Sequence, residues 1–391
     1  MSFSVILNTD CSLRGSPELE FGLRDLHRVL QAGAGLQGWL EFDGTGLPET
    51  QLDLIAALGG DLVLLVLNPA LIVSDNLMAE LVDVLTQHPQ ACIMPDDPRR
   101  ASGVWQIDYA SRAGFERYVA RRQALPQQRP GDAAPAWMAL VNRQALLTLL
   151  SGSPGMHWQA ITQQMPGGCW LAQRAFVHSY ADYQKSERHE ALHLVPTGVR
   201  KLVDVGGGEG GFLRAFQKQR AGQVLLVEPN IQSSAVARQH GIAVLNERFE
   251  AVDAKLLGPV DCISFLDVLE HFDNPLAALQ HAHRLLCAGG FVILSVPNVG
   301  HWSVVQDLLQ GRFDYLPIGI LCCTHLRFFT GHSLRQLLAD ANFEIDIWHN
   351  QASPMPEQFA RALDASGTGL SGWNQASLST DSFHVLASKR P

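Results

Sequence analysis

From Lys201 onward, short apolar runs alternate with segments whose apolar residues recur every three to four positions. The short runs read as buried strands, at Leu202–Val205, Val224–Val227, Ala243–Leu245, Cys262–Leu266 and Phe291–Val296. Helical spacing falls over Gly211–Gln219, Ser233–His240 and Leu276–Cys287. A last helix, Gly331–Ala341, with strands Phe343–Trp348 and Ser382–Ser388, would close the sheet edge. Such alternation predicts a doubly wound, Rossmann-like α/β sheet.

The first hundred residues follow a looser version of the same rhythm. Phe3–Leu7 is apolar, Leu19–Leu30 has helical spacing, Trp39–Phe42 is short and apolar, and Leu62–Leu67 reads as a buried strand. Regular structure resumes over Ala136–Leu150. The turn-forming cluster Ser151-Gly152-Ser153-Pro154-Gly155 then precedes a polar stretch with scattered aromatics, read as helical up to Leu194. The expectation is two α/β domains, 1–150 and 196–391, joined by a helical connector over 151–195. A chain of 391 residues suits that division, since domains run to about 100–200 residues. No internal repeat links the halves.

Composition narrows the function. Apolar residues make up 47% of the chain and charged residues 17%, the balance of a well-packed globular protein. With 29 basic against 38 acidic residues the net charge is -9, which opposes a phosphate backbone, so nucleic acid is not an expected partner. No apolar run approaches the length of a bilayer span and no basic leader opens the chain, so a cytoplasmic protein is expected. The seven cysteines form no C-x-x-C and no regular Cys/His ligand spacing. Reduced thiols and no metal site are expected.

The chemistry concentrates after the first strand of the second half. Asp204-Val205-Gly206-Gly207-Gly208-Glu209-Gly210-Gly211 is a glycine-rich strand-to-helix turn, where missing Cβ atoms let a ligand approach a helix N-terminus. Glu228 ends the next strand, where a carboxylate can accept the ribose hydroxyls of an adenosine. No G-x-x-x-x-G-K-[ST] is present, so the turn is not a P-loop.

With Val227-Glu228-Pro229-Asn230, Asp261-Cys262-Ile263-Ser264-Phe265-Leu266-Asp267-Val268-Leu269-Glu270-His271 and Gly289-Gly290-Phe291-Val292-Ile293-Leu294-Ser295-Val296-Pro297-Asn298 in the same order, the chain from Tyr180 to Lys389 resembles the class I S-adenosylmethionine-dependent methyltransferases. The resemblance implies S-adenosyl-L-methionine as cofactor. Gly206, Gly208 and Gly210 would pass its methionine part, and Asp204 would hold the first turn or the amino group. Glu228 would bind the ribose, Phe249 and Glu250 would flank the adenine, and Asp267 to Leu269 would wall the sulfonium side.

The stretch from Pro297 through His301 and Tyr315 to Thr324-His325-Leu326-Arg327-Phe328-Phe329-Thr330 is similar to a subgroup often fused to sugar-transferring domains, whose members commonly carry an Asp-Arg pair where this chain has Cys322-Cys323. For a hydroxyl acceptor the reaction calls for alignment and a base. His301 and His325 fall in loops expected to cover the strand ends, and one of them is the expected base; His271 is expected to cap or pack a helix start.

In the first half, Ser4-Val5-Ile6-Leu7-Asn8-Thr9-Asp10, Leu40-Glu41-Phe42-Asp43-Gly44, Gly60 through Ala70 and Trp137 through Leu146 resemble family 2 glycosyltransferases with the GT-A fold. In that family the strand matching Leu62–Leu67 ends in a metal-holding Asp-x-Asp. Leu67-Asn68-Pro69-Ala70 offers no carboxylate there, which implies a domain that has lost metal-dependent transfer. Asp96-Asp97 reads as a solvated turn, and the seven arginines from Arg99 to Arg129 as a solvated face or a grip on an anionic acceptor.

The expected function is a methyltransferase acting on a hydroxyl of a sugar or glycoconjugate, as in polysaccharide biosynthesis, with a small-molecule or glycan acceptor. A bifunctional glycosyltransferase/methyltransferase and a non-catalytic cofactor-binding scaffold are the alternatives.

Overall fold

The computed structural model describes residues 1–9, 13–32, 35–42, 52–98, 109–131, 136–153, 156–181, 183–253, 257–365 and 374–390. Asp10, Cys11, Asp43, Gly44, Arg99, Arg100, Pro154 and Gly155, which enter the sequence reading, lie outside them. The chain divides into two compact units, residues 1–181 with 314–318, and 182–313 with 319–391.

The first unit is built on an eight-stranded mixed sheet. Its strands are β1 (Phe3–Asn8), β2 (Leu36–Phe42), β3 (Leu62–Val66), β4 (Leu71–Val73), β5 (Cys92–Asp96), β6 (Gln128–Pro130), β7 (Met138–Asn142) and β8 (Cys169–Ser179), in the order β2-β1-β3-β7-β5-β8-β4, with β6 also pairing β8. β1 runs parallel to β2 and β3, and β7 antiparallel to β3. The continuous apolar runs of β1 and β3 are buried along their whole length, as strands covered on both faces must be.

β8 corrects the helical connector expected over 151–195. Among the described residues between Gly152 and Val195, only Trp158–Gln164 and His189–Leu192 are α-helical, and the intervening Cys169–Ser179 is a strand parallel to β5. Its apolar residues pack into the sheet. The polar pair that hid it in the sequence is used by the backbone: Gln173 N donates to Gln127 O at 2.9 Å and Arg174 Nε to Leu125 O at 3.1 Å.

Asp96-Asp97 is likewise not a solvated turn. Both residues are buried, and Asp96 is ion-paired with Arg122, itself among the largest fully buried side chains. Arg122 also donates to Gln173 O and lies 4.6 Å from the Phe176 ring centre. That arginine therefore does not belong to a solvated face.

The second unit holds a seven-stranded sheet. β9 (Lys201–Val205), β10 (Gln223–Val227), β11 (Ala243–Leu245), β12 (Val260–Leu266), β13 (Leu286–Pro297), β14 (Phe343–Ala352) and β15 (Thr380–Lys389) stand in the order β11-β10-β9-β12-β13-β15-β14. β11 to β13 run parallel, and β15 is antiparallel to both neighbours. The chain leaves β9 toward β10 on one side and returns to β12 on the other, so the strand order reverses at β9/β12. Open α/β sheets bind ligands outside the carboxyl ends of the strands at such a switch point.

Helices Gly211–Gln219, Ile231–Gln239, Pro275–Leu285 and Gly331–Asp340 cover the sheet. Val203, Phe265, Leu279, Leu294 and Val385 lie in one buried cluster, and Leu202, Phe212, Phe216, Leu226 and Ile293 in another. None of the six cysteines among the described residues is in a disulfide, and Cys92, Cys262 and Cys322 are buried.

Candidate cofactor and acceptor site

β9 runs out at Val205 into the glycine turn, and Gly206, Gly208 and Gly210 take positive φ of 67°, 56° and 74°. That region is open to glycine and strained for nearly every other residue. Gly207 is needed for space: a Cβ there would lie 2.0 Å from Asp204 Oδ2. The turn ends in helix Gly211–Gln219, for which Gly210 is the N-cap.

Asp204 is fully buried under this turn. Ser264 Oγ donates to its Oδ1 at 2.6 Å, and Oδ2 has no hydrogen-bond partner. Burial pushes its pKa up to about 7, with Glu228 adding to the rise and Ser264 opposing it. Glu228, at the end of β10, reaches back to the same turn. Its Oε2 accepts from Gly208 N at 3.0 Å and its Oε1 from Asn230 N at 2.8 Å. Burial raises its pKa, and the two backbone donors work against that rise. The carboxylate thus ties the ends of β9 and β10 together.

Asp267 follows β12 with φ 53°, an uncommon conformation for a residue with a side chain. It is held by Arg188 Nη1 at 2.7 Å, Tyr183 Oη at 3.4 Å and Ser295 Oγ at 2.5 Å. Burial pushes its carboxyl up, but Arg188 and Ser295 reverse that and leave it below its ordinary value. Tyr183 and Arg188 were missed in the sequence, because they sit in the stretch read as connector and match no motif.

Phe249 is 2% exposed and packs edge-on against Phe265 at 5.3 Å and His281 at 5.1 Å between ring centres. Its ring is part of the core. Glu250 is exposed, with Arg248 Nη2 at 3.6 Å.

The two histidines expected to serve the acceptor differ. His301 is 2% exposed and caps helix Trp302–Leu309. Its Nδ1 meets Ser303 Oγ at 2.8 Å and its Nε2 meets Ser353 Oγ at 3.0 Å, so both ring nitrogens are engaged. Burial lowers its pKa to about 4. His325 donates from Nδ1 to Ile320 O at 2.9 Å, which makes Nε2 the lone-pair nitrogen, 3.8 Å from Glu270 Oε1. Burial, and then neighbouring His271, lower its pKa to about 4.

Glu270 is 1% exposed, and neither carboxylate oxygen has a hydrogen-bond donor. Burial, and then Asp267, push its pKa well above the ordinary carboxylate range. His271 Nδ1 donates to Thr324 O at 3.1 Å, so it ties the turn after β12 to the loop that carries His325. Cys322 Sγ lies 3.2 Å from Thr324 Oγ1 in that loop.

A family described as "Methyltransferase domain" matches residues 172–346. Residues of this chain are 30% identical over 182 residues to the ubiquinone biosynthesis O-methyltransferase of Pseudomonas paraeruginosa, covering 42% of this chain and 74% of that protein. The Leptothrix cholodnii enzyme of the same name is 31% identical over 180 residues, with the same coverage. The chain belongs to the S-adenosylmethionine-dependent methyltransferase family.

The methyltransferase uses S-adenosyl-L-methionine as its cofactor. Other relatives are matched less completely: the chain spans 56% of the Pseudomonas aeruginosa ubiquinone biosynthesis O-methyltransferase at 30% identity over 132 residues, which is 30% of this chain. Among solved structures, a SAM-dependent methyltransferase from Thermotoga maritima, described as a possible histamine N-methyltransferase, covers 51% of this chain and 87% of its own at 19% identity and a TM-score of 0.37. A methyltransferase from Bacillus halodurans covers 53% of this chain and 100% of its own at 16% identity and a TM-score of 0.37. No described helix of the methyltransferase is long and apolar enough to cross a membrane.

Proposed function

We propose that this chain transfers the methyl group of S-adenosylmethionine to a hydroxyl oxygen of a small molecule or glycan. The observation that carries the reading is the Glu228 carboxylate at the end of β10, hydrogen-bonded to Gly208 N of the turn that ends β9. Gly206, Gly208 and Gly210 would pass the methionine part, Asp204 would support the turn, Glu228 would take the ribose, and Asp267 would stand on the sulfonium side. When bound, the cofactor would supply an electrophilic methyl carbon on a positive sulfur, with the thioether as leaving group that keeps the S–C electron pair. The chain's own contribution is alignment and removal of the hydroxyl proton. His325 is the histidine we retain for the acceptor side, because both ring nitrogens of His301 are engaged within a helix cap.

Oxygen as the methylated atom is supported by relatives named as O-methyltransferases. A sugar or glycoconjugate is the acceptor class we propose, on the resemblance of residues 1–150 to GT-A glycosyltransferases. In that resemblance Asn68 stands where the metal-holding carboxylates would be, and its Oδ1 accepts from Ala70 N at 2.9 Å in a local turn. Labelled cofactor incubated with sugar nucleotides, glycans and phenols tests the class. Methylated glycan supports it, methylated phenol moves the acceptor toward that of the named relatives, sugar transfer supports a bifunctional chain, and binding without turnover a scaffold.

Glu228→Ala should weaken S-adenosylhomocysteine binding by roughly one to two orders of magnitude, since it removes a charge-assisted acceptor of about 1.5–3 kcal/mol. Calorimetry on the folded variant is the measurement. Unchanged affinity would remove Glu228 from the site and undercut the reading.

A further inference from the structure

The turn after β12 and the loop that carries His325 bring together three groups able to ligate a cation. Glu270, His271 and His325 each offer a ligand atom, and these atoms lie within 4.8 Å of one another. We propose that Glu270, His271 and His325 bind a divalent transition-metal cation, Zn2+ or Mn2+, at the carboxyl end of β12. The proposal deepens the methyltransfer reading and rests on it for the cation's role.

Three observations support it independently of the cluster's composition. First, Glu270 is 1% exposed with both oxygens unpartnered, and its one ion-pair contact among the described residues is His325 Nε2 at 3.8 Å. That distance is too long for a hydrogen bond. Arg188, the charged donor in range, is committed to Asp267 at 2.7 Å. A buried carboxylate without donors is costly unless something supplies positive charge.

Second, both imidazoles donate from Nδ1 to a backbone carbonyl, His271 to Thr324 O and His325 to Ile320 O. For His325 this leaves Nε2, which faces Glu270 Oε1, as the lone-pair nitrogen. Outer-shell carbonyls orient metal-bound histidines in this way. Third, the two contributing loops are clamped together, because Leu326 N and Arg327 N donate to Glu270 O at 2.9 and 3.0 Å. The ligands are therefore positioned by backbone before any ion arrives.

Two neutral imidazoles and one carboxylate suit a borderline divalent cation rather than Ca2+ or Mg2+, which prefer oxygen donors. Three protein ligands leave coordination positions open. A cation there supplies Lewis acidity that lowers the pKa of an acceptor hydroxyl, whose proton would pass to solvent before the oxygen forms its bond to the methyl carbon. His325 would then act as a ligand, and Cys322-Cys323 in the same loop need carry no charge for it.

The test uses the full chain, stripped with a chelator and titrated with CoCl2 while visible absorption is followed, then with ZnCl2 by calorimetry. S-adenosylhomocysteine binding is measured in parallel. One Co2+ per chain with ligand-field bands is expected, displaced by Zn2+, together with a rise in melting temperature. Glu270→Gln and His325→Gln should each weaken Co2+ binding at least about a hundredfold, beyond the roughly 10–100-fold cost of outer-shell changes, while homocysteine-cofactor binding persists. Absence of a stoichiometric band in the wild-type chain overturns the site, as does equal Co2+ binding by both variants. Should a variant misfold, the wild-type titration alone decides. Failure of the wild-type chain to bind S-adenosylhomocysteine would instead sink the methyltransfer reading, whatever the cation does.

Discussion

Two strands, β5 in the first unit and β12 in the second, run out at their carboxyl ends into buried carboxylates, and the chain treats the two ends differently. At β5, Asp96 is matched by Arg122, whose Nε and Nη2 also donate to Gln173 O and whose guanidinium covers Phe176. After β12, Glu270 is as deeply buried but receives no donor, and Asp204 on the neighbouring strand keeps one oxygen unpartnered. A carboxylate answered from within the fold reads as architecture. We read one left unanswered at a topological switch point as the place that a ligand would take.

The largest expected effect tests that contrast by sign. Arg122→Met should destabilise the first unit by about 3–5 kcal/mol, because it strands Asp96 as an uncompensated buried charge. Adding Asp96→Asn should recover much of the loss, since burial already pushes the Asp96 carboxyl up and Arg122 only partly opposes it. Glu270→Gln in metal-free protein should cost nothing or raise stability, because the charged form it removes is disfavoured by burial. Denaturant unfolding with a probe in each unit is the measurement. Comparable losses at both positions would break the comparison.

Asp204 sharpens it through pH. Its folded pKa of about 7 lies above the ordinary 3.8, so between those values the unfolded chain is ionised there while the folded chain still holds its proton. Stability should therefore fall as pH rises from about 4 to 7. Asp204→Asn should flatten that part of the curve of melting temperature against pH. A wild-type curve already flat across this window would mean that Asp204 is ionised in the fold, with a partner for Oδ2.

Much of the second unit was legible because its signals are local. β9, helix Gly211–Gln219 and the Glu228 strand end follow from apolar runs, glycines and one acidic residue within thirty positions. β8 was not legible, because Gln173 and Arg174 interrupt its apolar pattern and its pairing with β5 spans the fold. The Asp96–Arg122 pair was hidden for the same reason, as two charged residues far apart in the chain each look solvated alone. The Glu270, His271 and His325 cluster escaped because ligand spacing was sought along the sequence, whereas His325 returns to Glu270 only through the loop before helix Gly331–Asp340. Phe249 shows the opposite limit: its position after β11 was foreseen, but its ring belongs to the core.

The smallest expected effect lies inside the second unit, between the two histidines. His301 is answered on both nitrogens by Ser303 and Ser353 and accepts from Ser303 N at 3.3 Å as a helix cap, whereas His325 keeps Nε2 toward Glu270. If His301 is architecture, His301→Ala should cost about 0.5–2 kcal/mol, the usual loss of a side-chain cap. His301→Asn should recover part of it, because asparagine caps well. Cofactor affinity should stay unchanged in both. The pH dependence also has a definite sign: the folded pKa of about 4 lies below the ordinary 6.5, so the unfolded chain binds the proton first. Stability contributed by neutral His301 is therefore complete above about pH 6.5 and declines as pH falls toward 4. Thermal melts of both variants between pH 4 and 8, run beside methyl-transfer assays, decide the assignment. A variant that melts like wild type yet loses turnover would return His301 to the acceptor chemistry and erase the distinction between answered and unanswered groups on which the comparison stands.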